Sequence, residues 1–228
     1  MNKTKIEWVK NPDGTQGFTS NPISGLCPVG CWYCYGKKIY KRKLNKYFDE
    51  KIMFWPHRLA KIQKRKKPAG IFMCSTFELF YKGSKGNTAF DFVRDNIFKT
   101  IEACPQHRFY ILTKFPENID RPMPDNVWLG VSITGNKPED LLRANNLIET
   151  KAKIKFISYE PLLGKALQGI PYLDWIIIGR LTGWGHKWDP KKEWIQSLIL
   201  SYQNIPIFLK DNLKEIWGEP LIQDFPKC

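Results

Sequence analysis

Short apolar runs rich in Ile, Val and Phe recur along the 228-residue chain, at 18–21, 70–74, 108–112, 127–132, 154–158, 175–179 and 205–209. Between several of them the apolar residues change to a spacing of three and four. Phe90, Val93, Ile97 and Ile101 share one face of a helix expected over 88–103, and Trp194, Ile195, Leu198 and Ile199 share one over 190–202. Residues 56–66 read as a basic amphipathic helix, and 138–150 opens on Pro138-Glu139-Asp140, a helix-start signal. Continuous apolar strands are buried on both faces, so this alternation predicts a parallel sheet covered by helices. The expected fold class is α/β: a partial (β/α) TIM-like barrel with a mainly parallel sheet of about six or seven strands, in a single domain. The connector 161–173 is too short for a full helix, so irregular barrel geometry is expected there. Residues 1–17 are polar, with a turn signal at Asn11-Pro12-Asp13-Gly14. They read as an extended lead-in whose Ile6 and Trp8 pack on the body, leaving 18–228 as the barrel.

Composition changes this picture in two ways. At 43% hydrophobic the chain can bury a full core, yet no apolar run approaches the ~20 residues of a membrane helix. The start, Met1-Asn2-Lys3-Thr4-Lys5, lacks the apolar stretch of a signal peptide, so the chain reads as cytoplasmic with reduced cysteines and no membrane partner. The formal charge is +14, which suits a polyanionic partner such as nucleic acid. Two basic runs stand out. Lys37, Lys38, Lys41, Arg42, Lys43 and Lys46 interleave with Tyr40 and Tyr47, and Lys61, Lys64, Arg65, Lys66 and Lys67 follow. The competing reading of each run is a solvated face.

Candidate chemistry concentrates in Gly25-Leu26-Cys27-Pro28-Val29-Gly30-Cys31-Trp32-Tyr33-Cys34-Tyr35. Cys27, Cys31 and Cys34 stand at C-x3-C-x2-C spacing in a Gly/Pro loop, and thiolates are soft ligands for iron–sulfur clusters or zinc. A structural zinc site normally needs four ligands. The fourth would come from Cys74, Cys104, Cys228, His57, His107 or His186, none at matching local spacing.

In a barrel of parallel strands, function gathers on the loops after the strands' carboxyl ends. Those ends carry Ser75, Thr76 and Glu78, then Thr113 and Lys114, then Ser132 and Thr134, then Glu160, then Arg180, and last Lys210-Asp211-Asn212. Ser75 or Thr76 could equally cap a helix with Glu78 in its first turn, and Glu160 could pair with Lys114. Cys74 reads as a buried strand residue. The loop Gly183-Trp184-Gly185-His186-Lys187-Trp188 could stack a base or simply pack its tryptophans.

The cysteine spacing, with an aromatic just before Cys34, resembles the signature of the radical S-adenosylmethionine (radical SAM) superfamily. Further segments resemble an uncharacterised phage and mobile-element family with a three-cysteine, radical-SAM-type core. They are Thr4-Lys5-Ile6-Glu7-Trp8, Asn21-Pro22-Ile23-Ser24-Gly25, Ser75-Thr76-Phe77-Glu78-Leu79-Phe80, Ile111-Leu112-Thr113-Lys114-Phe115-Pro116, Asn126-Val127-Trp128-Leu129-Gly130-Val131-Ser132, Ser158-Tyr159-Glu160-Pro161-Leu162-Leu163-Gly164 and Phe208-Leu209-Lys210. Gly179-Arg180-Leu181-Thr182-Gly183 departs from the Gly-Gly-Glu-Ser-Gly type of sequence at that place, and the stretch between Trp8 and Asn21 is unlike the usual aromatic-containing one.

The resemblance implies an enzyme in which Cys27, Cys31 and Cys34 hold a [4Fe–4S] cluster whose fourth iron is chelated by SAM. It implies Tyr33 lying against SAM, Ser75, Thr76 or Glu78 at its amino group, and Ser132, Thr134, Glu160 and Arg180 completing the cofactor or substrate pocket. It further implies a 5′-deoxyadenosyl radical and an electron donor such as a flavodoxin or ferredoxin. Modification of nucleic acid, a nucleotide or a related small molecule is the leading expectation. The alternatives are a zinc-stabilised nucleic-acid-binding protein without catalysis, and radical SAM modification of a peptide or partner protein.

Overall fold

The computed structural model describes residues 1–38, 51–82, 88–135 and 137–227. Of the first basic run, Tyr40, Lys41, Arg42, Lys43, Lys46 and Tyr47 lie outside the described residues. Ten strands are described: β1 Asn2–Lys3, β2 Phe18–Ser20, β3 Ile23–Ser24, β4 Met53–Phe54, β5 Gly70–Met73, β6 Arg108–Thr113, β7 Val127–Ile133, β8 Ile154–Tyr159, β9 Trp175–Ile178 and β10 Ile207–Leu209. Eight form one mostly parallel sheet flanked by helices, in the order β1-β2-β5-β6-β7-β8-β9-β10, and β3 pairs with β4 apart from it. All seven expected strands are present in this α/β sheet. An eighth, β1, comes from the lead-in and runs antiparallel to β2. The partial barrel goes beyond what this ladder shows.

The chain divides into two compact units, Met1–Ile111 with Pro124–Val127, and Leu112–Met123 with Trp128–Cys228. In the first, β2, β5 and β6 run parallel, with Phe18 beside Ile71 and Gly70 beside Arg108. The lead-in is part of the core. Trp8 is buried, its ring 5.0 Å from Phe72 and 5.6 Å from Tyr110. Asn11 Oδ1 accepts the Gly70 N–H at 2.9 Å, and Tyr110 donates to the Lys10 carbonyl at 3.0 Å. A Cβ on Gly70 would lie 1.9 Å from that carbonyl oxygen, so only glycine admits this crossing.

The Pro56–Gln63 helix starts on proline, whose missing N–H costs nothing at that position. It buries Leu59 and Ile62, three apart on one face. The Thr88–Glu102 helix buries Ile97, Phe98 and Ile101 by the same periodicity.

In the second unit, β7 to β10 run parallel, and every residue of β7, β9 and β10 is buried, as the continuous apolar runs require. The Pro138–Glu149 and Lys192–Ser201 helices flank them, while residues 160–174 between β8 and β9 contain no helix. Alternation and register sort one face of this sheet into rows. Gly130, Phe156 and Trp175 form one row, and Ser132, Ser158, Ile177 and Phe208 the next. Phe156 and Trp175 confirm it with rings 5.6 Å apart, and Gly130 leaves room for the Phe156 ring. No helix among the described residues is long and apolar enough to cross a membrane.

Candidate functional site

The cysteine loop springs from β3. Gly25 has φ +111°, and a Cβ there would lie 2.7 Å from the Lys51 carbonyl oxygen, so the chain passes this point only as glycine. Two successive turns follow. Gly30 N–H donates to the Cys27 carbonyl at 3.3 Å, and Cys34 N–H to the Cys31 carbonyl at 3.1 Å. Lys37 N–H then donates to Cys34 Sγ at 3.5 Å. Cys27, Cys31 and Cys34 line one cavity of about 210 Å³ with Leu26, Gly30, Gly36, Lys37 and Thr76. Burial pushes the Cys27 thiol up from its ordinary value, with main-chain N–H groups of Val29 and Glu78 partly offsetting it.

The neighbouring strand end is committed differently from the expectation. Cys74 is buried with φ +53°, and complete burial, aided by the Glu78 charge, pushes its thiol far up. It is the strand-end core residue that the sequence suggested. Ser75 Oγ is hydrogen-bonded to the Asn21 side chain at 3.2 Å. The buried Glu78 carboxylate accepts the Phe80 N–H at 3.1 Å. Tyr33 packs edge-on against Trp32 at 5.4 Å, and Tyr35 donates its hydroxyl to the Ser75 carbonyl. Thr76 alone of that trio faces the cysteine cavity.

In the second unit, Ser132, Thr134 and Ser158 are buried polar residues on an apolar sheet. Among the described residues Ser158 Oγ has no hydrogen-bond partner. Thr134 N–H and Gly135 N–H donate to the buried Asp140 carboxylate at 3.3 and 3.0 Å, and Arg143 pairs with it at 3.1 Å. Glu160 pairs with Lys210, not with Lys114. Instead, the Lys114 carbonyl accepts from Arg143 Nε at 3.0 Å. Gly179 lies beneath that pair, because a Cβ there would come within 2.8 Å of Lys210 Cδ and 3.2 Å of the Glu160 carboxylate. Arg180 spends its fork on Asp189 at 3.1 Å and Glu215 at 3.6 Å, and its main chain is bracketed by Asn212. Sequence reasoning named Lys210 at a strand end but missed it as the partner of Glu160. The signal that could have found it is register: both residues fall one step past their strands, on one face.

The geometry corrects the expected metal centre. Among the described residues, which include Cys27, Cys31 and Cys34, no group of three or more His, Cys, Asp or Glu side chains could hold a metal ion. Lining one cavity is a weaker condition than converging on one point. Two consecutive turns direct these thiols, while Glu78 is engaged with the Phe80 main chain. The [4Fe–4S] cluster, SAM, the radical SAM enzyme and the resemblance behind them are overturned. The electron donor loses its role with them, and the zinc-stabilised alternative fails on the same ground.

The basic surface has a defined frame. From Lys51 to Lys67 the chain carries Lys51, Arg58, Lys61, Lys64, Arg65, Lys66 and Lys67, with no Asp or Glu before Glu78. Lys51, Lys61, Lys64, Lys66 and Lys67 are exposed. Arg58 donates to the Asn21 carbonyl at 2.6 Å and lies 5.3 Å from the Trp55 ring centre, while Arg65 lies over Phe18 at 4.6 Å. Asp13 reaches this surface, pairing with Lys67 at 3.2 Å. The amino terminus feels the same field: burial first, then Lys61 and Arg58, lower its pKa.

No curated protein and no solved structure matches the chain. A family model described as protein of unknown function (DUF5131) does match, over residues 3–219. By that match, the chain belongs to the DUF5131 family.

Proposed function

We propose that the protein binds nucleic acid through the exposed cations of the Pro56–Gln63 helix and the segment that follows it. The observation that carries this reading is the seven-cation stretch from Lys51 to Lys67, free of carboxylates and mostly exposed. Such a surface attracts phosphates and releases their counterions. Exposed aromatic side chains just before Lys37 and Lys38 in the chain suit stacking on bases: Trp32 and Tyr35 are 44% and 49% exposed. The cytoplasmic location expected from the sequence places nucleic acid within reach.

The test is fluorescence anisotropy with labelled single-stranded DNA, duplex DNA and RNA at stepped salt. The expected result is binding that weakens steeply with salt and is lost in the Lys61→Glu, Lys64→Glu, Lys66→Glu triple variant. Binding that the triple variant retains in full, or no binding at low salt, rejects the proposal.

A further inference from the structure

The three thiols of the cysteine loop are not equivalent. Cys34 N–H donates to the Cys31 carbonyl at 3.1 Å, closing a four-residue turn with Trp32 and Tyr33 at its corners. A turn of this kind holds its first and last Cα atoms within about 7 Å. A disulfide needs Cα atoms about 4.4–6.8 Å apart. Both residues line the same cavity of about 210 Å³.

Cys27 belongs to the preceding turn, closed on Gly30 at 3.3 Å. Burial pushes its thiol up from the ordinary value, with the Cys34 charge among the smaller causes. Cys74 and Cys104 are buried in the core, at 5% and 1% exposure.

We propose that Cys31 and Cys34 are a reversible dithiol–disulfide pair that exchanges with small-molecule disulfides. One cysteine thiolate attacks a sulfur of the disulfide RSSR, forming a mixed disulfide and releasing one RSH after protonation. The second cysteine attacks the protein sulfur of that mixed disulfide and expels the second RSH. The S–S bond of RSSR breaks, the Cys31–Cys34 bond forms, and the two electrons and two protons of the dithiol leave with the two RSH. Trp32 and Tyr33 lie inside the ring so closed, and oxidation therefore fixes the turn that carries the exposed indole. Pairs of this kind within reducing compartments are transient and redox-responsive. This inference is independent of nucleic-acid binding.

The chain is reduced anaerobically and equilibrated against graded ratios of reduced and oxidised glutathione. It is then quenched with acid, and the remaining thiols are counted by alkylation and mass. Two thiols should disappear together in one two-electron transition that survives in Cys27→Ser. Cys31→Ser and Cys34→Ser should each lose the transition and accumulate a glutathione adduct. Fragment sequencing of the oxidised wild-type chain reads the bonded pair directly, whatever the variants' folding. A bond involving Cys27, a transition that survives in Cys31→Ser or Cys34→Ser, or no intramolecular oxidation at any ratio overturns the proposal.

Discussion

Trp55 donates its indole N–H to Ser24 Oγ at 2.7 Å, joining the strand before the cysteine loop to the residue before the basic helix. Around it, Trp55 N–H reaches the Pro22 carbonyl at 2.8 Å, and Ser24 pairs with Met53 across β3 and β4. The cysteine loop and the cationic helix are therefore built from one small frame within the first unit.

Ser24→Ala removes the acceptor and leaves the indole N–H unsatisfied. The expected loss is about 1–3 kcal/mol, toward the lower end because Trp55 is only half-buried. Trp55→Phe in the Ser24→Ala background should cost little more at this bond, since neither polar group then remains. Urea unfolding midpoints of the single and double variants check this. Additive losses would show that the bond contributes nothing.

The proposed interface predicts a salt slope. Each phosphate contact contributes about 0.7 to the slope of log affinity against log salt on single strands and about 0.9 on duplexes. Reverting the triple variant one site at a time should restore the slope in steps of about that size. A slope unchanged while affinity falls would place the three lysines outside the contact.

At the second unit's strand ends, Gly179→Ala places a methyl group against the Lys210 and Glu160 side chains. Overpacking at such a point costs about 1–3 kcal/mol. Lys210→Met leaves Glu160 without its ammonium partner in a site where the two side chains are only 13% and 27% exposed. It should destabilise more than Lys210→Met combined with Glu160→Gln, because the double variant removes the uncompensated charge. Thermal denaturation of the three variants gives the order.

His107 is buried, and its Nε2 lies 3.3 Å from the Ile62 carbonyl. Burial lowers its pKa from the ordinary 6.5. The unfolded chain therefore binds the proton more readily than the folded one. Its contribution to stability is full above about pH 6.5 and is lost as the pH falls through the lower folded value. Unfolding free energies measured between about pH 8 and about pH 5 should fall toward acid. His107→Gln should flatten this dependence, and an equal slope in the variant would assign it to other groups.

Much of the fold was legible because it rests on local periodicity. The runs at 70–74, 127–132 and 175–179 are apolar without alternation, and they became strands buried on both faces. Phe90, Val93, Ile97 and Ile101 gave the Thr88–Glu102 helix for the same reason. Asn2–Lys3 gave no such signal, since two exposed polar residues become a strand only when β2 offers its free edge.

The candidate site was legible in residue types and not in arrangement. By itself the sequence determined the strand–helix order, the excess of positive charge and the spacing of the cysteines along the chain. Tertiary structure alone decided that Glu160 meets Lys210 fifty residues away, that Arg180 serves Asp189 and Glu215, and that three closely spaced thiols share a cavity without forming a metal-holding group. The physical reason is that periodicity fixes which side of an element a residue occupies. Convergence of side chains on one point depends on register, turn direction and competing hydrogen bonds, which are set only when the elements pack.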